Sequence, residues 1–155
     1  MPKHVIRLLK NQDLPDLVKL ARAYWSFEKI TGFRPNRYQR IATRILKNAS
    51  LGRIWIALEG DRLIGYLIVV FLMSLEYGGM AAEIDELYVD GSERGRGVGK
   101  ALLRAAGREL LQKGVVQVSL RVGKSNSKGI RFYKNLGFQQ RNKCLVMDRK
   151  TRAGW

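Results

Sequence analysis

The sequence predicts a single domain of the α/β (α+β) class, in which about seven strands form a central sheet flanked by about four helices. Two observations support this class. The chain has 155 residues, of which 46% are apolar, the size of one domain with a substantial core. Short apolar runs bounded by turn residues, typical of strands, are interspersed with longer segments whose apolar residues follow a helical period.

Seven short apolar segments are predicted as strands because turn residues bound them. They are residues 5–8, 54–58, 63–70, 80–89, 115–120, 138–139 and 143–148. The second and third are joined by Glu59–Arg62, whose Gly60-Asp61 pair suits a tight hairpin. Gly78 and Gly79 mark the turn before the fourth strand. The last two strands are expected to pair antiparallel.

Four segments are predicted as helices, at residues 13–25, 36–47, 97–113 and 126–136. Asp13 is an N-cap candidate for the first. In the third, apolar residues recur every 3.6 positions over 98–110, so one face is expected to pack on the sheet, and Gly114 ends the helix. The fourth has Asn126 as its N-cap and Gly137 as its C′ residue.

The composition excludes several classes of protein. No apolar run reaches the roughly 18–20 residues of a membrane span, and the N-terminus lacks the apolar core of a signal peptide, so a cytoplasmic protein is expected. Cys144 is the single cysteine and His4 the single histidine, which excludes an internal disulfide and a zinc site of the usual ligand types. The expected domain spans residues 1–148, followed by a basic tail at 149–155.

The net charge of +16, from 29 basic and 13 acidic residues, is unevenly distributed. Residues 1–62 carry +8, residues 63–93 carry −6 without any Lys or Arg, and residues 94–155 carry +14. The acidic segment surrounds the predicted strand 80–89. A basic protein attracts polyanions such as nucleic acid, although no basic-aromatic nucleic-acid motif accompanies the charge.

The most informative segment is 83–101, where an acidic strand runs into a glycine-rich turn that opens a helix. Gly95, Gly97 and Gly99 allow positive φ, so several N–H groups can converge on an anion at the positive helix end. The spacing fits neither a dinucleotide-binding turn nor a P-loop, since Lys100 and Ala101 stand where those motifs need Gly and Ser or Thr. We expect this turn to bind a pyrophosphate.

Two blocks resemble the hallmarks of one family. The pattern Arg94-x-x-Gly97-x-Gly99, preceded by the strand end 87–89, resembles the acetyl-CoA signature of the GNAT N-acetyltransferase superfamily. Residues 126–138 resemble its second hallmark, a helix that Asn126 opens and Gly137 ends. The resemblance covers about residues 4–148. Segments 52–55, 65–66 and 74–79 are similar to a prokaryotic subgroup whose acceptor is uncharacterised.

This resemblance implies a GNAT fold and acetyl-CoA as cosubstrate, with no metal. The sheet should be mixed and mostly antiparallel, and strand 80–89 should splay from its successor at a bulge to form the cofactor wedge. Freed backbone groups of Leu87 and Val89 should bind the pantetheine arm, and an N–H near Leu87 should polarise the thioester carbonyl. The implied cofactor-binding residues are Leu87, Tyr88, Val89, Arg94, Gly95, Arg96, Gly97, Val98, Gly99, Lys100, Asn126 and Tyr133.

The implied reaction is direct transfer of acetyl to a primary amine in a ternary complex. A lysine-type amine, with a pKa of about 10.4, is almost fully protonated at pH 7, so a carboxylate must take its proton. Glu83, Asp85 and Glu86 are the candidates, and each can instead be a solvated or ion-paired strand charge. In an unbulged strand Glu86 would point away from Glu83 and Asp85. Tyr133 is the implied general acid that protonates the leaving thiolate.

The charge distribution favours a cationic acceptor, either a small polyamine-like molecule or an amine of a basic protein or peptide. Each close pair with a carboxylate is worth about 4 kcal/mol before desolvation at an effective dielectric near 20. Arg121 and Gly123 stand where the subgroup is expected to be acidic, which leaves the acceptor open. The alternative is a GNAT fold that binds nucleic acid or the ribosome without catalysis. The sequence leaves open whether the protein forms a homodimer.

Overall fold

The computed structural model describes residues 4–151. The chain divides after Arg121 into two compact units. The first contains the whole sheet and three α-helices, and the second contains one α-helix. The prediction of one domain over 1–148 with a tail at 149–155 stays a prediction.

The first unit is built on a five-stranded mixed sheet whose spatial order follows the chain. Its strands are β1 (Val5–Leu8), β2 (Gly52–Glu59), β3 (Arg62–Ser74), β4 (Gly79–Val89) and β5 (Gln117–Leu120). Neighbours are antiparallel from β1 to β4, whereas β5 runs parallel to β4. The fold class is therefore confirmed.

The described residues contain five strands instead of about seven. The prediction of strands at 138–139 and 143–148 is wrong, because the structure assigns no strand there. Leu145, Val146 and Met147 are 90%, 68% and 89% exposed. An apolar pattern becomes a strand only where a neighbour completes the hydrogen-bond ladder. Within residues 122–151 no strand pairs with this segment.

Four α-helices correspond to the four predicted helical segments. They are α1 (Leu14–Phe27), α2 (Pro35–Lys47), α3 (Val98–Gln112) and α4 (Ser127–Asn135), with short 3₁₀ turns at Asn11–Asp13 and Gly91–Glu93. Asp13 does not cap α1 through its side chain. Its carboxylate instead accepts from both terminal nitrogens of Arg7, at 2.7 and 2.9 Å, and from the Lys10 N–H at 2.7 Å. Asp13 thereby ties β1 to the start of α1.

The core lies on both faces of the sheet. On one face, buried residues of α1 and α2 pack against alternate residues of β2 and β3, including Ile56 and Tyr66. The intervening residues of these strands, such as Leu67, are also buried. These intervening residues form the second face of the sheet. Helix α3 packs on this face, where Val98 lies beside Gly65. The long strands β3 and β4 are therefore covered on both sides, and their ends position the site.

A bulge in β4 decides how its acidic residues are arranged. Ile68 of β3 pairs with Glu86, and the next residue, Val69, pairs with Ile84. Asp85 is therefore an extra residue opposite β3. A bulge of this kind reorients side chains locally and often terminates pairing.

Beyond the bulge, β4 loses its second neighbour. Strand β5 pairs with β4 only over 81–84, and the last partners are Ile84 and Leu120. Leu87 and Val89 still pair with β3 but have no partner in β5. The predicted bulge is present in β4, but it lies in the β3–β4 register, immediately after the last β4–β5 pair. Pairing with β5 stops where β5 itself ends, and the predicted splay stays a prediction.

Candidate active site

Glu86 is enclosed and fully hydrogen-bonded. The residue is only 8% exposed to solvent. The Trp25 indole N–H donates to Oε1 at 2.9 Å, and the Tyr38 and Tyr66 hydroxyls both donate to Oε2 at 2.7 Å. Burial raises the pKa of Glu86, while the three hydrogen bonds oppose that rise. Both carboxylate oxygens are thus already engaged by the protein.

The two tyrosines act as neutral donors. Burial is the main cause that raises the pKa of both Tyr38 and Tyr66, and the neighbouring Glu86 raises each further. Both phenols therefore stay protonated at neutral pH and keep their hydrogens for the shared carboxylate oxygen. Through these bonds Glu86 connects α1, α2, β3 and β4.

Asp85 has a different environment although it is the adjacent residue. As the extra residue of the bulge, it is exposed. Partial desolvation raises the pKa of Asp85, the charge of Glu83 raises it further, and Arg121 partly offsets both. An accessible carboxylate with a raised pKa is suited to accept a proton near neutral pH.

The bulge also places Glu83 and Glu86 on one face of the sheet. Glu83 pairs with Val70 and Glu86 with Ile68. Val70 and Ile68 are two residues apart in β3, so they and their partners share a face. Glu86 therefore does not point away from Glu83 as it would in an unbulged strand, because Asp85 adds one residue to the count.

Glu83 is paired with the residue that follows β5. Arg121 donates to its Oε1 from Nε at 3.1 Å and from Nη2 at 2.8 Å. The Arg121 side chain is 66% exposed, so this pair is open to solvent and contributes little stability. It nevertheless brings a cation against the acidic group made by Glu83, Asp85 and Glu86.

The glycine turn adopts the predicted conformation at two of its three glycines. Gly95 and Gly97 have φ of +77° and +80°, and Gly97 is the N-cap of α3. A Cβ built on either residue meets nothing within 4 Å, so the turn faces open space. Gly99 lies inside α3 and does not have positive φ, so that part of the expectation is wrong.

The basic residues of the turn are engaged to different degrees. Arg94 donates to the Val89 carbonyl at 3.1 Å, and its guanidinium lies 4.3 Å from the Phe27 ring centroid and 5.2 Å from that of Tyr88. Within residues 4–151, exposed Lys100 makes no side-chain hydrogen bond or ion pair. Of the remaining expected cofactor residues here, Leu87 and Tyr88 are half-buried and Val98 is buried.

Arg96 braces the turn against the β2–β3 hairpin. Its guanidinium pairs with Glu59 at 2.9 Å and with Glu93. Glu93 is buried and also pairs with Arg62. The network holds the glycine turn to the sheet through side chains that come from both sides of the hairpin.

In the second unit, α4 has both predicted ends. The Asn126 side chain accepts from the Gly129 N–H at 2.9 Å. Gly137, with φ of +89°, donates to the Lys134 carbonyl, and Phe138 donates to that of Tyr133, the hydrogen-bond pair of a Schellman motif. The Tyr133 ring packs edge-on against Phe138, with centroids 5.6 Å apart.

Sequence reasoning missed the three donors to Glu86. Trp25, Tyr38 and Tyr66 lie 61, 48 and 20 residues from it in the chain. Each belongs to an apolar helix face or strand, where an aromatic residue indicates core packing. No local pattern marks such residues as partners of a carboxylate.

The described part of the chain has neither a metal-binding cluster nor a membrane-spanning helix. Among residues 4–151, no group of three or more His, Cys, Asp or Glu side chains is arranged to hold a metal ion. No helix in that range combines the length and the apolar character needed to cross a membrane.

Comparison with known proteins agrees with this geometry. The sequence profile of the acetyltransferase (GNAT) family matches residues 14–138. An uncharacterised N-acetyltransferase of Methanocaldococcus jannaschii is 29% identical over 141 residues, which are 89% of this chain and 62% of that protein. The spermidine N(1)-acetyltransferase of Thermoplasma acidophilum is 27% identical over 146 residues, 86% of this chain and 87% of that protein.

Among solved structures, an integron cassette protein from the mobile metagenome of Cole Harbour Salt Marsh superimposes with a TM-score of 0.83. It is 26% identical, and the match covers 95% of this chain and 91% of that one. The chain spans less than two thirds of the length of the Methanocaldococcus relative. The family profile, in contrast, covers most of the chain. The chain therefore belongs to the acetyltransferase (GNAT) family, a family of acyltransferases.

Proposed function

We propose that this protein transfers the acetyl group of acetyl-CoA to a primary amine, by direct attack of the amine in a ternary complex. The observation that carries the proposal is the environment of Asp85. Its exposed carboxylate, with a raised pKa, lies at the bulge immediately beyond the last pair between β4 and β5. The strand then leads to the glycine turn and the N-terminus of α3.

We assign the base role to Asp85. Glu86 has both oxygens engaged by three donors, and Glu83 is paired with Arg121. Asp85 takes a proton from the ammonium form of the acceptor, whose nitrogen then forms a bond to the acetyl carbon as the carbon–sulfur bond breaks. Tyr133 is proposed to protonate the departing thiolate, on the resemblance of its segment to the family hallmark. The attacking nitrogen loses its second proton to solvent as the amide forms, solvent returns a proton to Tyr133, and Asp85 releases its proton to solvent, so the net reaction frees one proton.

The cofactor site is proposed at the glycine turn and the end of β4 beyond its last pair with β5. A Cβ built on Gly95 or Gly97 meets nothing within 4 Å, and Gly97 is the N-cap of α3. The space beside this positive helix end suits a pyrophosphate bound by backbone N–H groups. Lys100 is the nearest basic side chain without a protein partner among residues 4–151. The remaining cofactor residues are proposed from the resemblance alone: Leu87, Tyr88, Val89, Arg94, Arg96, Val98, Gly99, Asn126 and Tyr133.

The acceptor is proposed to be a cationic amine. Glu83, Asp85 and Glu86 bring three carboxylates together. Burial is the main cause that raises the pKa of Asp85 and Glu86, and a neighbouring carboxylate adds to each rise. A second ammonium group on the acceptor would be attracted to them. Spermidine, the acceptor in the name of the Thermoplasma relative, is a polyamine of this kind. The cytoplasmic location and the homodimer stay expectations.

The test is an acceptor screen that detects the free thiol of released CoA. Polyamines, aminoglycosides, basic peptides and acidic amino acids should be compared at low and high salt. We expect the cationic acceptors to react fastest, with kcat/KM falling as ionic strength rises. Best acceptors that are anionic, or rates insensitive to salt, would contradict the acceptor proposal. Absence of both turnover and acetyl-CoA binding would favour the non-catalytic alternative.

A further inference from the structure

The outer face of α2 carries a line of cations that the catalytic proposal does not use. Arg37, Arg40, Arg44 and Lys47 are all exposed and recur at intervals of three or four residues. At 100° per residue they fall within about 80° of arc, and at a rise of 1.5 Å they extend about 15 Å along the helix axis. We refer to these four residues as the basic stripe.

The stripe is not neutralised within the protein. Among residues 4–151, none of its four side chains makes an ion pair or a side-chain hydrogen bond, and α2 contains no Asp or Glu. At least five other arginines are paired, as Arg7 is with Asp13 and Arg53 is with Glu109, whereas Arg104 and Arg108 of α3 make no ion pair among residues 4–151. Four uncompensated cations on one helix face create a local positive potential that favours an anionic partner.

The opposite face of α2 is anchored, so the stripe has a fixed outward direction. Tyr38 donates to Glu86, Ala42 is 2% exposed, and Ile45 and Leu46 pack against the core. Three of the stripe residues, Arg37, Arg40 and Arg44, line an open surface furrow of about 680 Å³ formed entirely by residues of α2. A partner therefore meets a row of charges carried by a helix that the core holds in place.

The apolar content of this face argues against a membrane as the partner. A helix that lies in a bilayer surface needs an apolar face free to enter the lipid, whereas the apolar face of α2 is already in the core. Ile41, which is 51% exposed, is the one large apolar side chain among the residues lining the furrow.

The regular spacing and the residue type favour a phosphate polymer. Successive cations are about 5 Å apart along the axis, and a nucleic-acid strand in a duplex presents one phosphate per about 3.4 Å. Three of the four are arginines, whose planar guanidinium can bind a phosphate through two hydrogen bonds. The furrow is lined by no aromatic residue, so the surface offers no platform for stacking bases.

We propose that the basic stripe of α2 is a docking surface for a nucleic acid, bound through its phosphate backbone without recognition of base sequence. This surface is separate from the proposed acetyl-transfer chemistry, since Tyr38 on the inner face of α2, and not the stripe, contacts the acidic group. The affinity should be strongly salt-dependent, because each neutralised phosphate releases counterions.

The test uses the full chain and a fluorescein-labelled 20-base-pair DNA duplex in two unrelated base sequences, with binding measured by fluorescence anisotropy from about 50 to 200 mM salt. The variant is Arg40→Gln/Arg44→Gln. The matched control is Arg104→Gln/Arg108→Gln, which removes the same charge from an exposed i, i+4 pair on α3. Far-UV circular dichroism checks that both variants are folded.

We expect the two duplexes to bind equally. The stripe variant should lose about tenfold in affinity or more, and its slope of log K against log salt should fall by about 1.8, the value for two lost phosphate contacts on B-DNA. The control should change less than about threefold. Equal losses in both variants would assign binding to net charge and overturn the proposal, as would no duplex binding at about 50 mM salt or stripe-dependent binding to anionic vesicles alone.

Discussion

Asp85 and Glu86 are consecutive residues, yet Asp85 is exposed at a β-bulge while Glu86 is enclosed by Trp25, Tyr38 and Tyr66. The two carboxylates therefore differ in their access to solvent and to a substrate. Glu86 is buried and each of its oxygens already accepts from the protein. Asp85 is exposed to solvent. One extra residue in β4 separates a buried, hydrogen-bonded carboxylate from the exposed one that we propose as the base.

Replacing Asp85 tests the assignment of the base. Asp85→Asn should lower kcat by about 10²- to 10⁴-fold, because the proton acceptor is lost. The raised pKa of Asp85 also predicts that the wild-type rate increases with pH through a value above the ordinary 3.9 or so, and this limb should be absent from the variant. Steady-state rates across pH measure both effects. Wild-type activity in Asp85→Asn together with a large loss in Glu83→Gln would transfer the role to Glu83.

Replacing Arg121 should shift the pH at which the rate rises. Arg121 lowers the pKa of Asp85, so Arg121→Gln should raise it and move the limb to higher pH. Removing a cation beside the acidic group should also increase kcat/KM for cationic acceptors, since the acceptor no longer competes with the Arg121–Glu83 pair. Rate profiles of the variant and of Lys124→Gln, which removes a charge three residues further along the chain, provide the comparison. An unchanged limb in Arg121→Gln would show that this cation does not act on the base.

Replacing Glu86 should affect stability. Glu86→Gln keeps the shape of the side chain but removes the charge to which the indole and the two phenols donate. The amide NH₂ also replaces one carboxylate oxygen, so that a hydrogen-bond donor then faces the donors of the protein. We expect a loss of about 1–3 kcal/mol in the free energy of unfolding, measured by urea denaturation. Tyr38→Phe, which removes one donor, should lose about 1 kcal/mol. A Glu86→Gln variant as stable as the wild type would mean that the three bonds make no net contribution.

Asp13 should contribute stability that depends on pH. The hydrogen bonds from Arg7 are the largest cause that lowers the pKa of Asp13, so the folded state binds a proton there less readily than the unfolded state. The contribution is therefore complete above the unfolded pKa of about 3.9 and is lost as pH falls through the lower folded pKa. Asp13→Asn should be less stable at pH 7 by about 2 kcal/mol. In urea unfolding the difference should shrink below about pH 4, and a constant difference would contradict this linkage.

Gly97 should be required for cofactor binding beyond its effect on the fold. Gly97 and Gly114 both have positive φ, and a Cβ on either meets nothing within 4 Å, so an alanine at each adds only backbone strain, roughly 1–2 kcal/mol. Gly97→Ala should in addition lower acetyl-CoA affinity about tenfold, because relief of the strain redirects N–H groups at the start of α3. Calorimetric titration of both variants separates the effects. Equal affinities would remove the turn from the cofactor site.

Local chemistry of the chain was enough to predict the helices, the hairpin and the glycine turn. The Gly60-Asp61 turn joins Glu59 and Arg62 as a tight hairpin, and Asn126 and Gly137 form the two ends of α4. Each of these depends on a few neighbouring residues whose backbone preferences and hydrogen bonds are local. The family hallmarks were likewise contiguous segments, so the sequence alone identified the acetyl-CoA signature.

Only the tertiary structure decided which carboxylate is free. The donors to Glu86 come from three elements distant in sequence, and the partner of Glu83 follows a different strand. The bulge at Asp85 depends on the register between β3 and β4 and determines which face each acidic residue occupies. The apolar segment 143–148 lacks a strand for the same reason. Pairing between strands and partners for buried charges depend on which segments meet in space, and local residue preferences do not determine that.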